Sequence, residues 1–283
     1  MTTVAETGRR LESIARPKSV VQRNLNLIVE LAITQFKLKY TGSALGYVWS
    51  LLKPLMLFGI MYLVFSVLLK VSAGTKPGYA DFPVQLLIGI VVWTFFAEST
   101  TLAMNAIAGA GDIIRKAYFP RWILVVASTG SALLTFAINM ILVIIVTLLI
   151  GGLHLSWRSL LAPVYFVELA VLVIGLSLLL SALFVFFRDL GHIWEILSLV
   201  LFYGSAVVYP FSRIPGFLQT FAGLNPVAQI LLDLRHALVA PQIPSMASSI
   251  GALVVIPIVL CVVLFFVALT VFNRLTPRFA EEL

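Results

Sequence analysis

The sequence predicts an all-α integral membrane protein with six transmembrane helices. Three observations predict it. The 283 residues are 61% hydrophobic and only 11% charged, against about 45–50% and about 25% in a soluble domain. The mean hydropathy is +1.07. The apolar residues fall in runs of about 20 or more, the length a helix needs to cross the hydrocarbon layer. Charged residues gather between those runs. Lipid offers the backbone no hydrogen-bond partner, so each run is expected to satisfy its own amides as a helix.

The elements follow in order. Residues 1–23 are polar and are expected to form a disordered tail. They do not read as a secretory signal, because no small-residue cleavage site follows the first apolar segment. Residues 24–40, NLNLIVELAITQFKLKY, have helical amphipathicity. Leu25, Ile28, Val29, Ala32, Ile33, Phe36 and Tyr40 share one face, and Asn26, Glu30, Thr34 and Lys37 lie opposite. Such a helix lies in the membrane plane or packs on the inner end of the bundle. Residues 41–272 form the transmembrane domain. Its spans are expected at about 46–69, 83–107, 122–150, 159–187, 191–210 and 248–272. The fifth, ending at Pro210, has the weakest apolar signal. Segment 211–240 is too broken by Pro and Gly for a simple span. It reads as two half-helices around Gly223-Leu224-Asn225-Pro226 that dip into the membrane face. Residues 273–283 are a short tail.

Basic residues set the orientation. Six spans put both termini on one side. That side holds Arg9, Arg10, Arg16, Lys18, Arg23, Lys37, Lys39, Lys53, Arg115, Lys116, Arg121, Arg188, Arg274 and Arg278. The other side holds Lys70, Lys76, Arg158, Arg213 and Arg235. Fourteen against five places both termini in the cytoplasm under the positive-inside rule. The net charge of +7 therefore reflects topology and does not point to nucleic acid. Cys261 is alone in an apolar run and implies neither a disulfide framework nor a metal cage. His154, His192 and His236 are scattered singly, and no His/Cys/Asp/Glu group has metal-ligand spacing. No Ser-His-Asp arrangement is evident.

One cytoplasmic loop is unusual. Residues 111–124 read GDIIRKAYFPRWIL. As a short helix ended by Pro120, they put Ile113, Ile114, Ala117 and Tyr118 on one face, with Arg115 and Lys116 directed elsewhere. Two readings stand. The loop is a knob seated in a cleft of a cytoplasmic partner, or a basic anchor that fixes topology.

Three acids interrupt apolar spans: Glu98, Glu168 and Glu195. Intramembrane carboxylates are costly and often functional. A proton path is one reading. The plainer ones are a helix–helix hydrogen bond for Glu98 and burial in polar surroundings for Glu168. Arg188-Asp189 at the inner end of span four is either a local ion pair or a cytoplasmic gate contact. Lys53 precedes Pro54 at the start of span one and can snorkel to lipid or substrate phosphate.

Four stretches carry a resemblance. They are FKLKYTGSALGYVWSLLKPLM (36–56), IIRKAYFPRWIL (113–124), FRDLGHIWEIL (187–197) with VVYP (207–210), and NPVAQILLDLR (225–235). In that order they resemble the permeases of type-2 ABC transporters that export polysaccharides such as O-antigen, teichoic acid or galactan. The resemblance covers about 36–272. It implies a homodimeric six-helix permease working with two copies of a separate cytoplasmic ABC ATPase. It also implies that Asp112, Ile113, Ile114, Arg115, Lys116, Ala117, Tyr118, Phe119 and Pro120, within 111–121, form the coupling helix that docks on the ATPase. ATP and Mg²⁺ would belong to that partner. The chain itself has no G-x-x-x-x-G-K-[ST] phosphate loop, nor any Gly-Lys dipeptide. It is therefore expected to be a permease subunit and not itself an enzyme, in the bacterial cytoplasmic membrane.

The substrate implied by the resemblance is a glycan on a polyprenyl diphosphate. Sugar rings pack C–H faces on aromatic rings without one fixed register. Phe58, Tyr62 and Phe65 share a face of span one. Phe202, Tyr203 and Tyr209 stand near the outer end of span five, followed by Phe211, Phe217 and Phe221. They read as a channel wall, or as core packing with the usual interfacial belt. Two other function classes compete: an ion-coupled secondary carrier, and a membrane enzyme acting on polyprenyl-linked sugars. A carrier is expected to show inverted repeats, and an enzyme a cluster of acids or His at one face. Neither is visible in the sequence.

Overall fold

The computed structural model describes residues 19–70, 81–111, 119–150, 156–240 and 242–282, and among these no residue is in a strand. The chain enters through α1 (Val20–Tyr40), whose N-cap Ser19 accepts a hydrogen bond from the Gln22 amide. Lys37 and Lys39 occupy its last turn, where cations complement the helix dipole. Gly42 and Gly46 take positive φ, 79° and 49°, and reverse the chain into α2 (Val48–Tyr62). A π-helical turn, Leu63–Leu68, extends α2.

Four long helices form the bundle: α3 (Phe82–Ala106), α4 (Trp122–Ile150), α5 (Ala162–Phe186) and α10 (Val255–Leu275). Proline stands in the first turn of α3 and of α5, where the missing N–H costs nothing. A 3-10 turn, Trp157–Leu161, leads into α5 and is closed by a capping box between Ser156 and Ser159. Between α5 and α10 lie α6 (Leu190–Gly204), α7 (Gly216–Gly223), α8 (Pro226–Leu238) and α9 (Met246–Ile250). A last turn, α11 (Phe279–Glu282), ends the described chain.

Helix α3 is the axis of the bundle. It packs against α4 and α5, α10 packs on the far side of α5, and α1 runs along α4. Leu86, Leu87, Ile90 and Phe96 of α3 are fully buried, in a core shared with Val173 of α5 and Ile230 and Leu231 of α8. A second cluster at the Trp122 end joins Ile107, Leu124, Ala182, Ala268, Phe272 and Phe279. Small residues set the closest approaches. A Cβ on Gly175 of α5 would stand 2.9 Å from the Phe265 Cα of α10. A Cβ on Gly130 of α4 would meet the Ala32 side chain of α1 at 3.1 Å. Apolar spans gain little from hiding from lipid, so backbone proximity at small residues decides where they touch.

Five described helical segments are long and apolar enough to cross a membrane: Val48–Leu68, Phe82–Ala106, Trp122–Leu148, Trp157–Phe186 and Met246–Arg278. The expected span at 191–210 is helical only over 15 residues, Leu190–Gly204. At 1.5 Å per residue that is about 22 Å, short of the roughly 30 Å hydrocarbon core. It stops because Ala206 adopts a positive φ of 52° and the following carbonyls bond elsewhere. The broken segment does hold two helices, α7 and α8, with Asn225 as the N-cap of α8.

Helix α1 presents Leu27, Leu31, Ala32, Phe36 and Tyr40 inward, while Leu25 and Val29, expected on the same face, stay exposed. Its apolar arc is wider than the strip α4 can cover. Within the expected tail at 273–283, Phe279 is fully buried against Phe186 and Phe272.

Candidate functional site

At the Trp122 end, Asp112, Ile113, Ile114, Arg115, Lys116, Ala117 and Tyr118, expected to form a coupling helix, lie outside the described residues. Phe119 and Pro120 are described. They line a cleft with Arg23, Asn24, Asn26, Leu27 and Glu30 of α1. Arg121 donates a hydrogen bond to the Thr276 carbonyl, and its guanidinium lies 5.9 Å from the Phe279 ring centre. A residue counted above as a loop charge is thus a tether. It ties the exit of the loop to the end of α10, as the first turns of α1 flank its last residues.

Farther along α1, Lys39 forms an ion pair with Glu98 of α3 at 2.6 Å. Thr135 of α4 donates to the same carboxylate oxygen at 3.3 Å. Three helices therefore meet on one acid, which fits the helix–helix reading of Glu98. Burial pulls the Lys39 pKa down, but the hydrogen bond and charge of Glu98 outweigh it and hold the ammonium above its usual 10.5. Phe36, Tyr40 and Tyr47 close an aromatic triangle beside this pair, each centroid 5.4 Å from the next. The turn after α1 is thereby fixed against the helix it leaves.

At the opposite end, Arg235 of α8 is almost fully buried, at 2% exposure. Its Nε donates to the Gln85 carbonyl of α3 at 3.0 Å. Its Nη1 and Nη2 donate to the carbonyls of Ala206 and Val207, at 2.9 and 2.6 Å. These carbonyls follow the C-terminus of α6, where the helix dipole is negative. The guanidinium, a rigid fork of donors, replaces the next helical turn as their partner. Asn225 adds a bond from Nδ2 to Ser205 Oγ at 2.8 Å. The Tyr209 hydroxyl donates to the Tyr203 carbonyl at 2.5 Å. The break after α6 is thus held by side chains of α8, its N-cap and Tyr209.

The other expected site residues separate into buried and outward-facing sets. Phe202 is buried against Trp93, centroids 5.4 Å apart, so it packs the core of the chain. Phe58 stacks on Tyr62 at 5.8 Å. Phe58 and Phe65 are half-buried against the core, whereas Tyr62 and Tyr203 face outward, 36% and 51% exposed. Lys53 is exposed. Arg188 and Asp189 are exposed too, and Arg188 lies 5.3 Å from the Phe184 ring centre. Among the described residues the ion pair is Lys39–Glu98, not Arg188–Asp189. Glu195 is exposed.

The sequence pattern counts Arg235 only as an outer-side charge, and nothing in it marks the buried fork of hydrogen bonds that this residue makes. Sequence reasoning also missed Gln229 and Asp233, which meet Glu168 in the seam between α5 and α8. The polar i, i+4 pair in QILLD was a signal, because one helix turn puts both side chains on one face.

Known proteins resemble the chain along nearly its whole length. Two relatives are O-antigen export system permease proteins RfbA of Klebsiella pneumoniae, 30% and 29% identical over 260 residues. Another, from Myxococcus xanthus, carries the same description and is 26% identical over 259 residues. Each alignment covers 91% of this chain and 95% of the relative. The profile of the ABC-2 type transporter family matches residues 26–239, from α1 through the end of α8. With an all-helical bundle whose long apolar helices fit a multi-pass membrane protein, the chain belongs to the ABC-2 type transporter family.

Proposed function

We propose that this chain is the permease subunit of an ABC transporter that exports a lipid-linked polysaccharide, a polyprenyl-diphosphate glycan, across the bacterial cytoplasmic membrane. The observation that carries the reading is the end-to-end alignment with O-antigen export permeases, over 91% of this chain and 95% of each relative. A chain without a phosphate loop needs its ATP hydrolysed elsewhere, so the reading pairs a homodimer of permeases with two copies of a separate ATPase holding ATP and Mg²⁺. Both termini face the cytoplasm. The fifth crossing in chain order, which makes six in all, is α6 together with the irregular stretch Ser205–Tyr209, with α7 and α8 re-entering the outer face.

In this reading the segment 111–121 docks in a groove of the ATPase. Its exit is bonded through Arg121 to Thr276, and its last residues flank α1. Movement of the ATPase is then passed to α1, α4 and α10 together. Apolar area buried by Ile114 and Tyr118, at about 25 cal/mol per Å², holds the docked state. Arg115 contributes orientation at the rim.

The test co-expresses the chain with its candidate ATPase and measures the mass of the detergent complex and ATPase pull-down. The expected complex is two permeases with two ATPases, lost on Tyr118→Asp while a cysteine at position 112 stays accessible from the cytoplasm. Replacing Arg115 and Lys116 together by Gln leaves insertion intact and abolishes export. Normal ATPase capture by Tyr118→Asp, with position 112 still cytoplasmic, defeats the docking model. A transport-competent monomer without any ATPase defeats the whole reading.

A further inference from the structure

Two buried acceptor atoms lack a partner in the seam between α5 and α8: Glu168 Oε1 and Gln229 Oε1. Gln229 is completely buried. Its Nε2 donates to Glu168 Oε2 at 3.3 Å and to Asp233 Oδ2 at 3.0 Å. A primary amide has two N–H bonds, so both are spent, and the amide oxygen has no hydrogen-bond partner. Asp233 Oδ1 accepts the Met246 amide N–H at 2.8 Å, in the first turn of α9. Two carboxyl groups thus hang on one amide in a desolvated seam. The other titratable groups about them are Tyr165 on α5, His236 on α8 and Cys261 on α10.

The negative charge belongs on Asp233. It takes two N–H donors, the Gln229 side-chain amide and the Met246 backbone amide. Glu168 receives one long bond. A second full charge beside the first is costly in low dielectric. We propose that Glu168 carries a proton, its Oε1–H donating to Gln229 Oε1, so that acid and amide close a two-bond ring between α5 and α8. The two orphaned oxygens are the two atoms that this single proton joins. The seam then holds one neutral acid, one amide and one carboxylate, with every acceptor satisfied. The site binds a proton permanently, as a latch that fastens the half-helix α8 to span α5.

Glutamine is the neutral isostere of a protonated glutamate, and two amides close the same ring. The full chain is placed in lipid nanodiscs at pH 7, and infrared spectra of wild type and Glu168→Gln are subtracted. A protonated-carboxyl C=O stretch is expected in wild type and absent from the variant, which unfolds at the wild-type temperature. Gln229→Leu removes the acceptor of the O–H and is expected to move the band to higher frequency. The proposal is overturned if the subtraction shows only a carboxylate, as for an ionised Glu168 solvated by a trapped water or cation. It is equally overturned if Glu168→Gln unfolds well below wild type, or if Gln229→Leu leaves the band unmoved. None of these readouts depends on what is exported.

Discussion

Gly89 and Arg235 are fitted to one another across the α3–α8 seam. A Cβ at residue 89 would stand 2.5 Å from Arg235 Nη2 and 2.5 Å from the Val207 carbonyl oxygen that Nη2 bonds. The absence of a side chain at 89 is the seat of the guanidinium. The guanidinium in turn holds the chain where α6 stops.

Gly89→Ala is therefore expected to destabilise the protein by about 1–3 kcal/mol, the usual cost of overpacking. Arg235→Gln strands carbonyls of Ala206 and Val207, at about 1–3 kcal/mol each. Both changes attack one seat, so the double variant should cost less than the two singles added. Thermal unfolding of the purified proteins reads this. Full additivity would mean that the two residues act independently.

The Lys39–Glu98 pair should show coupling of about 1 kcal/mol in a double-mutant cycle of Lys39→Met and Glu98→Gln, because both groups remain partly exposed. Its pH dependence has a fixed sign. The folded state holds the Lys39 ammonium above its usual 10.5. The stabilisation is complete below 10.5 and disappears as pH rises through the folded value. Unfolding of wild type and Lys39→Met across alkaline pH should converge. Curves that stay parallel would deny the pair any such role.

Gly175→Ala tests the contact of α5 with α10. The added methyl meets backbone, Phe265 Cα at 2.9 Å and its N at 3.2 Å, and backbone cannot swing away as a side chain can. A loss of about 1–3 kcal/mol is expected, larger than for Ala at Gly59, which meets nothing within 4 Å. Equal unfolding temperatures for the two variants would show that the helices part without cost.

Under the proposed export function, Tyr62→Ala and Tyr203→Ala are expected to keep their fold and their ATPase assembly while exporting less glycan. Both rings face away from the chain's core, so their loss leaves no internal cavity. Phe202→Ala is the contrast. It empties a buried site against Trp93 and should cost about 3–5 kcal/mol of stability. Glycan export and unfolding temperature are measured on the same preparations. Normal export by both tyrosine variants would assign the rings to packing.

The sequence by itself determined the membrane class, the long apolar helices and the break at Leu224-Asn225. Each is written locally, in a run of apolar residues or in a Pro, Gly or capping Asn, and each follows from backbone satisfaction in lipid or from fixed dihedral preferences. The resemblance of four short stretches pointed to the family for a similar reason, since those residues lie close together in the chain. The tertiary structure alone decided the partners. Glu98 finds Lys39 59 positions away, and Arg235 finds Gln85 150 positions away. Neither separation leaves a mark in local periodicity. Helices as apolar as α4, α5 and α10 show no preferred face in their pattern, because lipid accepts every face. What selects the face is a glycine that lets another backbone or a guanidinium approach, as at Gly89, Gly130 and Gly175. Whether such a glycine is used depends on the residue opposite, which only the fold supplies. The end of α6 was misjudged on the same ground. Apolar residues continue to Val208, but the carbonyls that would extend the helix are taken by an arginine from α8.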